Sequence, residues 1–187
     1  MRKLIMWNLV SLDGCFEGAK SWDLPWHERV WGEELERFSI EQLQSADMLL
    51  FGRATYEGMA AYWEKEEGEI ADYMNKLPKR VCSRTLREPA WNNTTLISDD
   101  VRAEVARLKQ EGSGNILVFG SADLSRTLVD EALFDEYRIA IAPVIHGRGR
   151  QLFSERALPQ QLELLDTRAL SNGCVILRYR QAPGARA

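Results

Sequence analysis

The chain has 187 residues, 45% of them apolar and 28% charged, with a net charge of −4. That length serves one α/β domain with a core of its own, needing neither disulfide nor metal. The acidic balance gives no electrostatic case for nucleic acid or an anionic membrane surface, leaving room only for a small local phosphate site.

Residues 3–10 form a compact apolar run, expected as a buried strand. Asn8 interrupts the run, which is too short for a signal peptide core with its cleavage site, or for a bilayer span. Ser11-Leu12-Asp13-Gly14 reads as a turn. Residues 15–32 show no regular period and crowd Trp22, Pro25, Trp26 and Trp31 together. Glu33 to Ser45 reads as a helix with an imperfect apolar face of Leu35, Phe38, Ile40 and Leu43. Residues 47–51 form a short strand ending at Gly52, and Thr55 to Trp63 restarts as helix. The acidic stretch 64–72 reads as solvated surface. Strands are expected at 79–83 and 94–97, then a helix over 101–111 capped by Asp99 or Asp100 and ended by Gly112.

Asn115 to Phe119 is the clearest strand, ending at Gly120-Ser121 before a helix from Asp123 towards Ala132. A strand over 136–144 leads into the loop His146 to Arg150. Segments 160–167 and 173–180 read as a closing hairpin around Ser171-Asn172-Gly173. Strands alternate with helices and two strands finish. The expected architecture is three-layer α/β/α, a mostly parallel sheet with an antiparallel C-terminal hairpin. With no repeat or linker, residues 1–181 read as one domain, and 182–187 as a frayed tail. Cys15, Cys82 and Cys174 are odd in number and match no metal or redox spacing. They read as free thiols in a reducing cytoplasm.

Two strand ends share a pattern: an apolar run, a glycine, then a helix start. They are Leu49 to Thr55 and Leu117 to Asp123. Glycine admits a ligand close to the backbone, and a helix N-terminus offers unpaired N–H groups to an anion. Side by side, two such termini suit the two phosphates of a dinucleotide. Ser83-Arg84-Thr85, just past another strand, offers a guanidinium for a phosphate monoester such as an adenosine 2′-phosphate. There is no G-x-G-x-x-G, P-loop, H-E-x-x-H or G-x-S-x-G motif. The two histidines, His27 and His146, have no ligand spacing, so no metal site is expected.

In order and spacing, several segments resemble the dihydrofolate reductase-like superfamily. The nearer likeness is to the reductase domain of bifunctional riboflavin-biosynthesis deaminase-reductases and its stand-alone relatives. The likeness rests on Val10 to Gly14, Leu50 to Glu57, Val118 to Ala122, Leu128 to Glu131 and Ile141 to Gly149. It implies an NADPH-dependent reductase of a small heterocycle, with 5-amino-6-(5-phosphoribosylamino)uracil as the first-choice substrate and a homodimer as the assembly. Dihydrofolate or pterin reduction is an alternative, and so is a non-catalytic nucleotide-binding protein of the same fold. The zinc motif of the companion deaminase is missing.

By position, the resemblance gives Gly52, Arg53 and Thr55 to the cofactor phosphates, and Ser83 and Arg84 to the ribose 2′-phosphate. Gly120, Ser121, Ala122 and Leu124 match the second phosphate loop, where many relatives carry Gly-Gly; Ser121 is expected to donate through backbone and hydroxyl. Leu12 and Asp13 fall near nicotinamide and substrate. The proton donor has four contenders: Asp13, Asp23, Glu34 and Glu36. Trp22, Trp26 and Trp31 are expected to face a flat substrate.

Overall fold

The computed structural model describes residues 2–153 and 159–182. The chain runs β1 (Leu4–Ser11), β2 (Cys15–Glu17), α1 (His27–Val30), α2 (Glu33–Gln44), β3 (Ala46–Gly52), α3 (Arg53–Trp63) and α4 (Glu69–Lys76). It continues with β4 (Lys79–Cys82), β5 (Thr94–Ile97), α5 (Val101–Gln110), β6 (Asn115–Phe119), α6 (Ala122–Asp130) and β7 (Glu136–Ala142). It ends with β8 (Arg150–Gln151), β9 (Leu162–Ala169) and β10 (Val175–Gln181). Eight strands form one sheet in the order β5-β4-β3-β6-β1-β7-β10-β9. The first six are parallel, while β10 runs antiparallel to β7 and β9 antiparallel to β10. Strands β2 and β8 make a separate two-stranded sheet.

Strand side chains alternate between faces, so each central strand feeds two cores. Leu4, Met6 and Val10 of β1 join Met48, Leu50, Ile116 and Val118 under α5 and α6. Ile5 of β1 joins Leu49, Phe51 and Leu117 beneath α2, α3 and α4. Trp7 packs with Leu35 and Phe38 of α2, against Ala140 and Ile176. A sheet covered on both faces explains why its central strands read as apolar runs.

Residues 15–32, expected to be irregular, hold β2 and the single turn α1. The acidic stretch 64–72 turns into α4 at Glu69. Its apolar side, Ala71 and Met74, was masked by Glu69 and Asp72, which sit in the first turn where the helix dipole favours acids. Arg150, expected in a loop, pairs with β2 together with Gln151 as β8. The hairpin turns at Gly173, with φ +86. Of the tail expected to fray, Ala182 donates to the Gln161 carbonyl; residues 183–187 lie outside the described ones. No described helix is long and apolar enough to cross a membrane.

Candidate functional site

The β1–β6 ladder ends at the pair Trp7 and Phe119, whereas β1 stays paired with β7 as far as Ser11. A crevice therefore opens where β6 leaves β1. Such a place, beyond the carboxyl ends of parallel strands, suits a ligand. A cleft of about 430 Å³ occupies it. Gly52, Arg53, Ala54 and Thr55 line it from the start of α3, and Gly120, Ser121, Ala122 and Leu124 from the start of α6. The two glycine turns thus stand together at one site.

Direct hydrogen bonds lock the turns to each other. The Gly52 N–H donates to Ser121 Oγ at 3.0 Å, and the Ser121 N–H donates to Thr55 Oγ1 at 2.9 Å. Ser121 Oγ donates in turn to the Phe119 carbonyl at 3.1 Å. Ser121 is thus a strut between loops, and its expected role as a phosphate donor is corrected: its N–H and hydroxyl proton are engaged. The first-turn N–H groups of α3 and α6, neither capped by a side chain, are the donors left for an anion. Arg53 stands half-exposed beside them, 3.5 Å from Glu57.

Gly120 and Ser121 both adopt left-handed backbone, φ +55. A Cβ on Gly120 would lie 3.2 Å from Thr55 Cγ2 and 3.3 Å from Phe16 Cζ. Gly120→Ala is therefore expected to cost about 1–2 kcal/mol from backbone handedness alone, with crowding added. Urea unfolding checks this; an unchanged midpoint contradicts it.

Part of the cleft wall is aromatic and apolar. Trp7, Trp22, Leu24, Trp31 and Leu35 line it. Trp22 sits at φ +66, and its indole lies so close to Gly58 of α3 that a Cβ there would collide with it. The Trp22 N–H donates to Glu17 Oε2 at 3.1 Å. Trp26 is corrected: it is 2% exposed, packs on His146 with ring centroids 4.7 Å apart, and belongs to the core beneath the sheet.

None of the four proton-donor contenders lines the cleft. Asp13 accepts from the Ser11 hydroxyl at 2.6 Å and from the His146 and Gly147 N–H groups at 3.0 and 2.7 Å. These bonds hold its carboxyl well below the usual range, so it stays an anion that pins the loop after β7. Glu34 ties α2 to the hairpin turn, accepting from the Ser171 hydroxyl and backbone, which also lower its pKa. The Asp23 carbonyl closes a turn by accepting from Gly18, and Glu36 lies exposed on α2. Leu12 is 63% exposed and outside the cleft lining. Ser83 and Arg84 follow β4, two strands along from β6, where the Ser83 hydroxyl accepts from the Thr85 and Leu86 N–H groups.

Sequence reasoning missed several polar groups in the cleft wall, among them Glu17, His27 and Asn8. Glu17 is buried, its carboxylate bridged to Arg150 at 2.6 Å, and Arg150 reaches Asp123 at 3.0 Å. His27 has its pKa pushed down to about 4 by burial, so its ring is neutral near pH 7. Among the described residues no group of three or more His, Cys, Asp or Glu is placed to hold a metal.

Residues 2–176 match the family described as the RibD C-terminal domain. The Bacillus subtilis protein YyaP, itself described as uncharacterized, is 30% identical over 183 residues, covering 95% of this chain and 94% of that protein. The crystal structure of a putative riboflavin biosynthesis protein from Shewanella sp. PV-4 superposes with a TM-score of 0.81 at 20% identity, covering 97% of this chain and 99% of that one. Enterococcus faecalis dihydrofolate reductase, solved with NADP(H), gives 0.65 at 14% identity, covering 97% of each chain. The fold is dihydrofolate reductase-like, and the chain belongs to the RibD C-terminal domain family.

Proposed function

We propose that this protein is an NADPH-dependent reductase that delivers a hydride to a small planar heterocycle. The observation that carries the reading is the pair of uncapped helix N-termini, α3 and α6, facing one cleft at the point where β6 parts from β1. A pyrophosphate at that place would accept from both first turns and sit beside Arg53. From β1 to β4 the sheet spans three inter-strand steps, about 14 Å, so an extended dinucleotide could reach from the cleft to Arg84. NADPH would supply the hydride.

The chain's own task is to orient and to exclude water. Trp22 and Trp31 of the cleft wall would hold a flat ring, and Glu17 fixes the Trp22 backbone. None of Asp13, Asp23, Glu34 and Glu36 lines the cleft, so the proton would come from a single water at its mouth, with bulk water kept from the ring. The ribosylaminopyrimidine 5-amino-6-(5-phosphoribosylamino)uracil is the first acceptor to test. Buried or half-buried free thiols suit a cytoplasmic setting, and the solvent-facing edge strand β9 offers a surface for pairing two copies.

The test is a titration of NADPH and NADH by tryptophan fluorescence, on wild type and Arg84→Ala. Wild type should prefer NADPH, and the variant should lose about 10- to 100-fold of that preference, the worth of a charge-assisted phosphate contact. Equal affinity for the two cofactors in wild type would sink the NADPH assignment. Tight NADPH binding without oxidation by any pyrimidine or pterin would leave a nucleotide-binding protein.

A further inference from the structure

β1 is the central strand of a sheet buried on both faces, and its sequence is apolar except at Asn8 and the terminal Ser11. Asn8 is 3% exposed, and neither its Oδ1 nor its Nδ2 has a hydrogen-bond partner among the described residues. A buried amide left wholly unpaired is costly, and native structures rarely carry one without a ligand or water to complete it. Asn8 also occupies a particular place. It is the first residue of β1 beyond the last β1–β6 pair, Trp7 and Phe119, and it borders the cleft. By strand alternation it shares a face with Leu4, Met6 and Val10, the face that α6 covers. It therefore stands on the side of the crevice from which Gly120, Ser121 and Leu124 enter.

An asparagine amide presents one acceptor and two donors in a plane. Its complement is another planar amide edge, a C=O beside an N–H. Building on the reductase reading, we infer that Asn8 is a specificity-determining residue that pairs with an amide edge of the bound ligand. Two ligands of that reading carry such an edge: the carboxamide of the nicotinamide ring, and the lactam of a pyrimidine-type acceptor. The chemistry is shared, and the two are separable by experiment.

The test compares wild type with Asn8→Leu, close in volume but without polar atoms. Without ligand, Asn8→Leu should melt higher by about 2–4 °C, because an unpaired polar group has been removed from the interior. A structural asparagine would give a lower melting temperature. Binding is read with four probes: NADPH, its 3-acetylpyridine analogue, lumazine, and 1,3-dimethyllumazine, with the two lumazines titrated both with and without NADPH. The variant should lose about 10- to 100-fold in affinity for the amide-bearing member of one pair and bind the blocked member as wild type does. Loss confined to NADPH assigns the carboxamide; loss confined to lumazine assigns the acceptor. The inference is overturned if Asn8→Leu binds NADPH and lumazine as wild type does, or if it melts lower than wild type. Failure of wild type to bind NADPH would count against the reductase reading, whereas the lumazine arm without cofactor still decides the role of Asn8.

Discussion

Glu136→Leu should destabilise the fold by about 3–5 kcal/mol, the usual consequence of leaving a buried cation uncompensated. Glu136 is 1% exposed on the α2 side of β7. Its Oε1 accepts from Arg138 Nε at 2.8 Å, and from Arg178 Nε and Nη2 at 3.0 and 2.9 Å. Arg138, itself buried, also donates to Gln42 of α2 at 3.2 Å. Burial alone would raise the pKa of Glu136, but the bonds and charges of Arg138 and Arg178 together outweigh it, and the net shift is downward. A carboxyl whose folded pKa lies below its unfolded 4.5 stabilises the fold fully above that value. The stability is lost as pH falls through the folded pKa. Urea unfolding of wild type and Glu136→Leu should therefore differ most near neutrality and converge in acid. A pH-independent gap would contradict the ion-cluster account.

Lys79→Met is the second large effect, expected at about 3 kcal/mol. Lys79 has no solvent exposure. Its ammonium donates to the carbonyls of Asn75, Leu77 and Asn92 at 3.0, 2.8 and 3.0 Å, and lies 4.5 Å from the centre of the Trp91 ring. Two of those carbonyls belong to the end of α4 and the turn after it, where a cation also meets the negative end of the helix. Methionine keeps the volume but takes a donor from all three carbonyls, of which that of Asn92 retains the Thr94 hydroxyl at 3.4 Å. Burial pushes the pKa of Lys79 down to about 8, partly opposed by the charge of Glu64. Between about pH 8 and the ordinary 10.5 the unfolded chain then holds more protons than the folded one, so this residue makes stability rise with pH across that window. The rise should vanish in Lys79→Met; its persistence would assign it elsewhere.

Periodicity and composition made the sheet legible because a strand covered on both faces must be apolar throughout, as Asp47 to Phe51 and Asn115 to Phe119 are from their second residue onward. The two glycine turns were legible for a related reason: each ends such a run and begins a helix. What stayed hidden depends on contacts between distant residues. Trp26 and Trp22 lie four apart in an aperiodic segment, and nothing local says that one packs on His146 while the other crosses to Gly58. Asp13 looked free beside a glycine turn, yet its partners are backbone groups of His146 and Gly147, 133 and 134 residues away. The same holds for Glu17, whose partner Arg150 arrives on β8. Ser121 misled in a different way. It reads as a phosphate donor through backbone and hydroxyl, while the structure spends both on joining that loop to the other.

That strut has an electrostatic side. Joining Gly52 and Thr55 to Ser121 brings the positive poles of α3 and α6 towards one another through neutral hydrogen bonds alone. Like poles held together repel, a cost that these hydrogen bonds and the packing around them offset. On the proposed reading, an anion seated between them would turn the same geometry from repulsion into shared attraction.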